Sequence, residues 1–380
     1  MSRPSQRGFT LVEVLVAVTI LAFVISGISI ILIKQTQASS TQSLERDLEE
    51  SGRLALLEIA RSVRLAGYGI TPIAAFDFDR YACATPGTGS TCPNGGRDRI
   101  AGPDELVVSW RDPSFFRAVT AFNNGPGPYT ATITPALTAP INAGRVVLLL
   151  CAGAEPAAYL ALSSNAATGA TTLQLRILTA ADGYFPTATA ADSCFKTAGL
   201  MLVERVRYYL ANDSDGVPAL YKERGRGAPE KLYRGIEDLQ LTYDIGQPPA
   251  GSAFAAAGAT PSPAPACTTS AWTFGLCATA ETPSEAATAP DWRNDPYDSA
   301  NRYTGHPANI RTVTINVVAR STRATPDRTG DSVPQIGNRP ARALDTFRRS
   351  VSTVSEQPAN LVTRAHFLPP VVTNLNVGGG

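Results

Sequence analysis

Hydrophobic and polar positions divide the chain into three unlike stretches. From Phe9 to Ile33 apolar residues dominate a run of 25 residues in which Glu13 is the single charged side chain. At a rise of about 1.5 Å per residue this run makes a helix of roughly 37 Å, enough to cross a hydrocarbon core of about 30 Å with some tilt. From Lys34 to about Ala66 the pattern turns amphipathic. Leu44, Leu48, Ala55, Ile59, Val63 and Ala66 recur at helical spacing, while Glu45, Arg46, Asp47, Glu49, Glu50 and Arg53 take the wet side. No proline interrupts either part, so one helix of about 87 Å is predicted from Phe9 to Ala66. Gly67-Tyr68-Gly69 and then Pro72 close it, because glycine suits the left-handed cap and proline cannot continue the turn.

Beyond residue 67 the pattern is that of strands and loops. Glu105 to Trp110, Arg145 to Leu150, Thr171 to Leu178 and Leu202 to Leu210 are rich in apolar and β-branched residues and bounded by Gly, Pro or Asp. Ala219 to Glu223 and Lys231 to Arg234 flank a Gly-rich turn and read as a hairpin. Gly235 to Tyr243 follows, and Ile310 to Ala319 alternates Val313, Ile315 and Val317 with Thr312, Thr314 and Asn316. The fold class expected is therefore α+β: a long N-terminal helix whose second half packs on an antiparallel β-sheet head. Two stretches read as insertions on this head, 75–103 (Gly-, Thr- and Cys-rich) and 247–309 (Ala-, Pro-, Thr- and Ser-rich). Loops of such length are usually functional or disordered. Trp272, Phe274 and Trp292 favour some docking of the second.

Charge gives the apolar run its orientation. Met1 to Gly8 carries Arg3 and Arg7 and no acid, and basic flanks stay on the cytoplasmic side, so the head is expected across the membrane. A cleaved secretory signal has a shorter apolar segment with small residues after it, whereas here Arg7-Gly8 precedes the run. Glu13 then stands out, because an unpaired carboxylate at that depth costs at least a few kcal/mol and usually has a partner.

These residues carry a family resemblance. Arg7-Gly8 followed by Phe9-Thr10-Leu11-Val12-Glu13 and a long apolar helix resembles the signal of type IV prepilins and type II secretion pseudopilins. The resemblance implies a prepilin leader, 1–8, removed by a prepilin peptidase between Gly8 and Phe9, with methylation of the new amino terminus on Phe9. It implies that Glu13, together with Thr10, serves assembly: the carboxylate neutralises a neighbouring subunit's amine, since two charges in an apolar bundle are tolerable as a pair. Glu50-Ser51-Gly52-Arg53-Leu54-Ala55, Ala60-Arg61 and Arg64-Leu65-Ala66-Gly67-Tyr68 resemble the PilW-type minor pilins, in which asparagine is commoner where Ser51 stands. The order of head strands after residue 200 resembles PilW and J-type heads more loosely.

The organisation so implied is a leader (1–8), a transmembrane and filament-core helix (9–33), an amphipathic helix on the head (34–66) and a periplasmic β-rich head (67–380). The function implied is that of a minor pilin which helps prime a type IV pilus and stays at or near its tip, with roles in surface motility and adhesion. Before assembly it would sit in the bacterial inner membrane, single-pass, with its head in the periplasm; afterwards it would be at the extracellular pilus tip. Expected partners are other minor pilins, the major pilin, a tip adhesin of the PilY type, the prepilin peptidase and the inner-membrane assembly platform. A J-type minor pseudopilin of type II secretion and a DNA-uptake pilus subunit are the alternatives.

The remaining chemistry changes this picture little. Formal net charge is +1, so bulk charge names no partner. Nine arginines against four acids between Arg311 and His366 form a local basic surplus, including Arg348 and Arg349, that would carry any DNA contact. DNA is nevertheless not expected among the partners. Six cysteines in an exported chain point to disulfides, and sequence alone does not choose their connectivity. Cys83 with Cys92 and Cys267 with Cys277 are close enough to staple their own loops, which leaves Cys151 with Cys194. Asn212-Asp213-Ser214-Asp215-Gly216 resembles the start of a calcium loop but lacks the distal glutamate. With two isolated histidines, no Cys-x-x-Cys, no Gly-x-Ser-x-Gly and no phosphate loop, no enzyme, metal or cofactor is expected.

Overall fold

In a computed structural model the described residues are 10–78, 99, 102–123, 125, 128–151, 157–179, 182, 185, 187–188, 193–247, 272–276, 307–324, 331–343, 345–362 and 375–376. One helix, α1 (Leu11–Leu65, 55 residues), opens the fold. It runs unbroken through the change from uniformly apolar to amphipathic sequence, because neither part contains a proline and its glycines, Gly27 and Gly52, stand singly within long runs of helix formers. Its end is chemical. Ala66 closes the last turn by donating its N–H to Val63, and Gly67, at a φ of 77°, donates to the Ser109 carbonyl at 2.9 Å as the chain turns into the head. An L side chain is rarely accepted at that angle.

The head is built on two sheets. The larger contains β1 (Leu106–Arg111), β2 (Arg117–Asn123), β3 (Tyr129–Thr134), β4 (Val146–Leu150), β5 (Ala157–Leu162), β6 (Thr172–Arg176), β7 (Thr187–Ala188), β8 (Gly199–Asn212), β9 (Pro218–Arg224) and β10 (Glu230–Arg234). The smaller has the order β12-β11-β13-β14, from β11 (Ile236–Ile245), β12 (Thr273–Phe274), β13 (Ile310–Arg320) and β14 (Arg349–Glu356). A last short strand, β15 (Leu375–Asn376), pairs with β7 on the larger sheet. Nearly every pairing is antiparallel; β5 with β7 is parallel.

The 14-residue β8 joins the parts. Its first half pairs with β4, from Gly199 opposite Leu150 to Val203 opposite Val146, and its second half with β9, from Val206 opposite Arg224 to Asn212 opposite Pro218. The two largest hydrophobic clusters among the described residues follow from this division. One, including Val119, Ile133, Leu149, Leu160, Leu175 and Leu200, lies among β2 to β6 and the start of β8. The other joins the second half of α1 to the smaller sheet through Ala55, Ile59, Val63, Leu239, Leu241, Ile315 and Val317.

The predicted helical face is the buried one: Leu48, Ala55, Ile59, Val63 and Ala66 are buried, and the six charged residues assigned to water are exposed. The hairpin between Ala219 and Arg234 and the alternation along β13 also appear as expected, with Val313, Ile315 and Val317 in the core. Strands β2, β3, β5 and β14 were not legible in the sequence. Ala75 and Phe76, at the start of the first expected insertion, are core residues, with Phe76 bridging Val108. Within the second, Phe274 is buried on β11 and pairs with Tyr243, while Trp292 lies outside the described residues.

Candidate assembly interface

At its start α1 is capped by its own side chains. Thr10 Oγ1 accepts from the Glu13 N–H at 3.3 Å, and the Glu13 carboxylate accepts from the Thr10 N–H and hydroxyl, each at 3.0 Å. This reciprocal pair satisfies two donors that a helix start leaves open. Gly8 and Phe9 lie outside the described residues. From Leu11 to Ile33 every side chain is exposed, including Leu15, Ile20, Phe23 and Ile31. The polar groups in this span turn inward to the helix: Thr19 and Ser26 donate to the carbonyls of Leu15 and Ala22 at 2.8 Å, and Thr36 to that of Leu32 at 2.9 Å. Such back-bonding lets an apolar surrounding accept them.

The second half of α1 is held to the head by more than apolar burial. Glu58, beside the buried Ile59, forms an ion pair with Lys222 of β9 and accepts from the Tyr208 hydroxyl at 3.1 Å, and Ser62 bonds the same hydroxyl at 2.8 Å. Burial pushes the Glu58 carboxyl up, but the Lys222 hydrogen bond and charge outweigh it and hold the group below the usual carboxylate range. Burial likewise raises the Tyr208 phenol. Nearer the two ends, Arg64 pairs with Glu356 of β14, its Nε donating at 2.7 Å, and Glu45 pairs with Arg348. At Gly52 a Cβ would stand 3.4 Å from the Ala319 Cβ and 3.5 Å from the Ser352 hydroxyl, so the helix lies close to β13 and β14 there. The outward stripe left by this clamp contains Glu50, Leu54, Leu57, Arg61 and Leu65, and its leucines are exposed.

Other candidates from the sequence are differently placed. Arg349 is almost fully buried and holds both Glu237 and Asp345, and Arg348 is engaged by Glu45, so this arginine pair has internal partners. Asp213 accepts from the N–H groups of Asp215 and Val217 at 2.9 and 3.1 Å and meets Arg234 Nε at 2.7 Å. That is an Asx turn closed by an arginine, and a cation already occupies the carboxylate. No cluster of metal-ligating residues occurs among the described residues. Cys151 is disulfide-bonded. Cys83, Cys92, Cys267 and Cys277 lie outside the described residues.

Two family models match the chain. The prokaryotic N-terminal methylation motif covers residues 3–29, and the type IV pilus-assembly protein W model covers residues 207–356. These two matches support a PilW-like minor pilin of the type IV pilus. No curated protein and no solved structure matches it. The PilW match in this minor pilin begins within β8 and ends on the last residue of β14, so it takes in the sheet on which α1 rests. The core formed by β2 to β6 falls outside it. The methylation motif and the single apolar helix fit a pilin anchored in the inner membrane, and the family is a component of pilus assembly, which makes other pilus components its expected contacts. The clamp residues Glu58, Ser62, Tyr208 and Lys222 of the pilin were missed by sequence reasoning. The available signal was Glu58, a carboxylate at the edge of a helical face of apolar residues.

Proposed function

We propose that this minor pilin helps prime polymerisation of a type IV pilus and remains at or near the tip, contributing to surface motility and adhesion. The observation that carries the reading is the contrast within α1: one half is clamped to the head, while the other offers a wholly exposed apolar surface in rigid continuity with it. A surface of that kind needs lipid before assembly and other helices after it. Repeated head-to-tail contacts of this type build an open helical array when the rotation between subunits does not close into a ring.

In this mechanism the prepilin peptidase cuts between Gly8 and Phe9 and the terminus on Phe9 is methylated. Glu13, hydrogen-bonded to Thr10 at the helix start, takes a neighbour's amine as its cationic partner, because two charges in an apolar bundle are tolerable only as a pair. Residues 9–33 form the anchor and later the filament core, 34–66 the join, and 67–380 a periplasmic head that contacts other minor pilins, the major pilin and a PilY-type tip adhesin. The assembly platform of the inner membrane receives the chain. A Cys151–Cys194 disulfide would brace this head: β4 ends beside the start of β8, with Leu150 opposite Gly199, and the 3-10 helix Ser193–Thr197 comes just before it.

Mass spectrometry of sheared pili tests the proposal. The expected result is this chain at low abundance, beginning at methylated Phe9, with loss of surface pili and twitching but intact secretion when the chain is deleted. Loss of secretion with normal piliation would overturn it in favour of a pseudopilin. Glu13→Ala is expected to leave cleavage largely intact and to impair incorporation.

A further inference from the structure

Where the segment before β4 meets the turn after β9 lies a cleft of about 170 Å³ whose lining includes Arg145, Arg224, Arg226, Pro140, Ile141 and Leu202. Three guanidinium side chains line it and no carboxylate does. Two tight turns bring them together. Gly144 and Gly225 both have positive φ, at 80° and 58°, and a Cβ on either would meet the other turn's arginine stem, 2.9 Å from Arg226 Cδ and 3.2 Å from Arg145 Cδ respectively. The glycines therefore let two arginine stems cross where any other residue would push them apart.

The acids nearby leave this lining electropositive. Arg145 is paired with Glu204. Arg226 approaches Asp182 only to 3.6 Å, and both oxygens of that carboxylate already bind Arg176, at 2.6 and 2.8 Å. Arg224 is exposed and forms no ion pair among the described residues. Converging guanidinium groups repel one another, and a planar anion that receives bidentate hydrogen bonds relieves the repulsion.

We infer that this cleft receives a glutamate or aspartate side chain from another subunit of the pilus, an inference that rests on the assembly role proposed above. The apolar wall of Pro140, Ile141 and Leu202 favours a carboxylate on an aliphatic stem over a bare tetrahedral oxyanion. The volume suits one side chain, not a strand or a nucleic-acid backbone. Arg145 and Leu202 come from outside the PilW match and Arg224 and Arg226 from within it, so the contact would read both parts of the head at once.

Two experiments test this. In the first, the full chain in detergent micelles is labelled with phenylglyoxal in the presence of glutarate or inorganic phosphate, against chloride at equal ionic strength. Glutarate is expected to slow labelling of Arg224 and Arg226 by about threefold while the exposed Arg53 is unaffected, as bidentate charge-assisted bonding requires. No protection, or protection by phosphate equal to or greater than that by glutarate, overturns the carboxylate assignment.

In the second, a photo-cross-linking residue replaces the exposed Ala143 at the rim in piliated cells. Adducts are expected on an acidic segment of another pilus subunit. They should be lost in Arg224→Glu with Arg226→Glu and partly retained in Arg224→Lys with Arg226→Lys, with thermal unfolding unchanged in both. A chain present in pili whose adducts carry no acidic segment, or whose adducts survive charge reversal, overturns the cleft proposal alone. A chain absent from pili and without adducts to any pilus subunit overturns the assembly role itself, whatever the labelling gives.

Discussion

The two halves of α1 are continuous in backbone and opposite in what satisfies them. Ile59 and Ile20 are the same residue type in the same helix, yet Ile59 is fully buried and Ile20 is 59% exposed. The outer half has its apolar partner within the chain, in β11 and β13, and adds the Glu58–Lys222 pair to fix its position. The inner half has no such partner among the described residues. Burial of a side chain of this size is worth roughly 1.5–3 kcal/mol, so the head is a folding unit that includes residues 48 to 66 of the helix, and the inner half needs an apolar surrounding such as the bilayer that its length and composition fit. One helix thereby couples two environments.

The largest effect that would test this contrast comes from truncating one isoleucine on each side. Ile59→Ala should lower head stability by about 2–5 kcal/mol, whereas Ile20→Ala should change it by less than about 0.5 kcal/mol, both read by thermal unfolding of the chain in detergent. Equal losses would break the division of the helix into a head-bound and an assembly-bound half. Next comes Glu58→Ala, which leaves the Lys222 ammonium buried beside Tyr208; partial exposure of Glu58 reduces the cost to about 2 kcal/mol, and Glu58→Gln should cost less because the amide still accepts. If Glu58→Ala melts at the wild-type temperature, the clamp is a bystander.

A smaller stability effect with a functional readout is expected on the outward stripe. Leu54→Ala with Leu57→Ala should leave unfolding within about 0.5 kcal/mol of wild type while reducing recovery of the chain in sheared pili. Normal recovery would show that assembly uses the inner half alone. The smallest effect concerns pH. The Arg349 hydrogen bonds hold the Asp345 carboxyl down to about 2. Because the folded value is depressed, the stabilisation is present above the ordinary carboxylate range and is lost as pH falls from about 4 towards 2. Asp345 is exposed enough that the contribution should stay under about 1 kcal/mol. Asp345→Asn should flatten the stability profile across that window, and an unchanged profile would remove the pair from the account.

Legibility in the sequence followed local periodicity. The helix and its buried face could be read because each apolar position repeats at helical spacing and needs no knowledge of what covers it. Strand β13 could be read for the same reason, since one face is apolar and the other is rich in threonine. Strand β11 shows where this stops. Asp238, Gln240 and Thr242 alternate with Leu239, Leu241 and Tyr243 and would be assigned to water, yet they are buried. Arg342 donates to Asp238 at 2.8 Å and Arg339 approaches it at 3.3 Å, and burial still pushes that carboxyl above its ordinary range. The polar face is covered by residues about 100 positions away in sequence, and no local pattern marks such a cover. Strand β14 escaped notice because its valines, Val351 and Val354, are three residues apart and fall on opposite faces of an edge strand, with Val351 exposed and only Val354 partly buried.

The sequence by itself determined the N-terminal methylation motif over residues 3–29, the apolar run with its one carboxylate, the helical face that packs on the head and the family that these resemble. All of these are written in neighbouring residues and short repeats. Only the tertiary structure decided that Glu58 is partnered by Lys222, that Arg348 and Arg349 face acids of their own chain, and that Arg145, Arg224 and Arg226 line one cleft. Those outcomes depend on which side chains of distant segments come within a few ångströms of one another, and charge pairing at that range is set by the packing of sheets rather than by order along the chain.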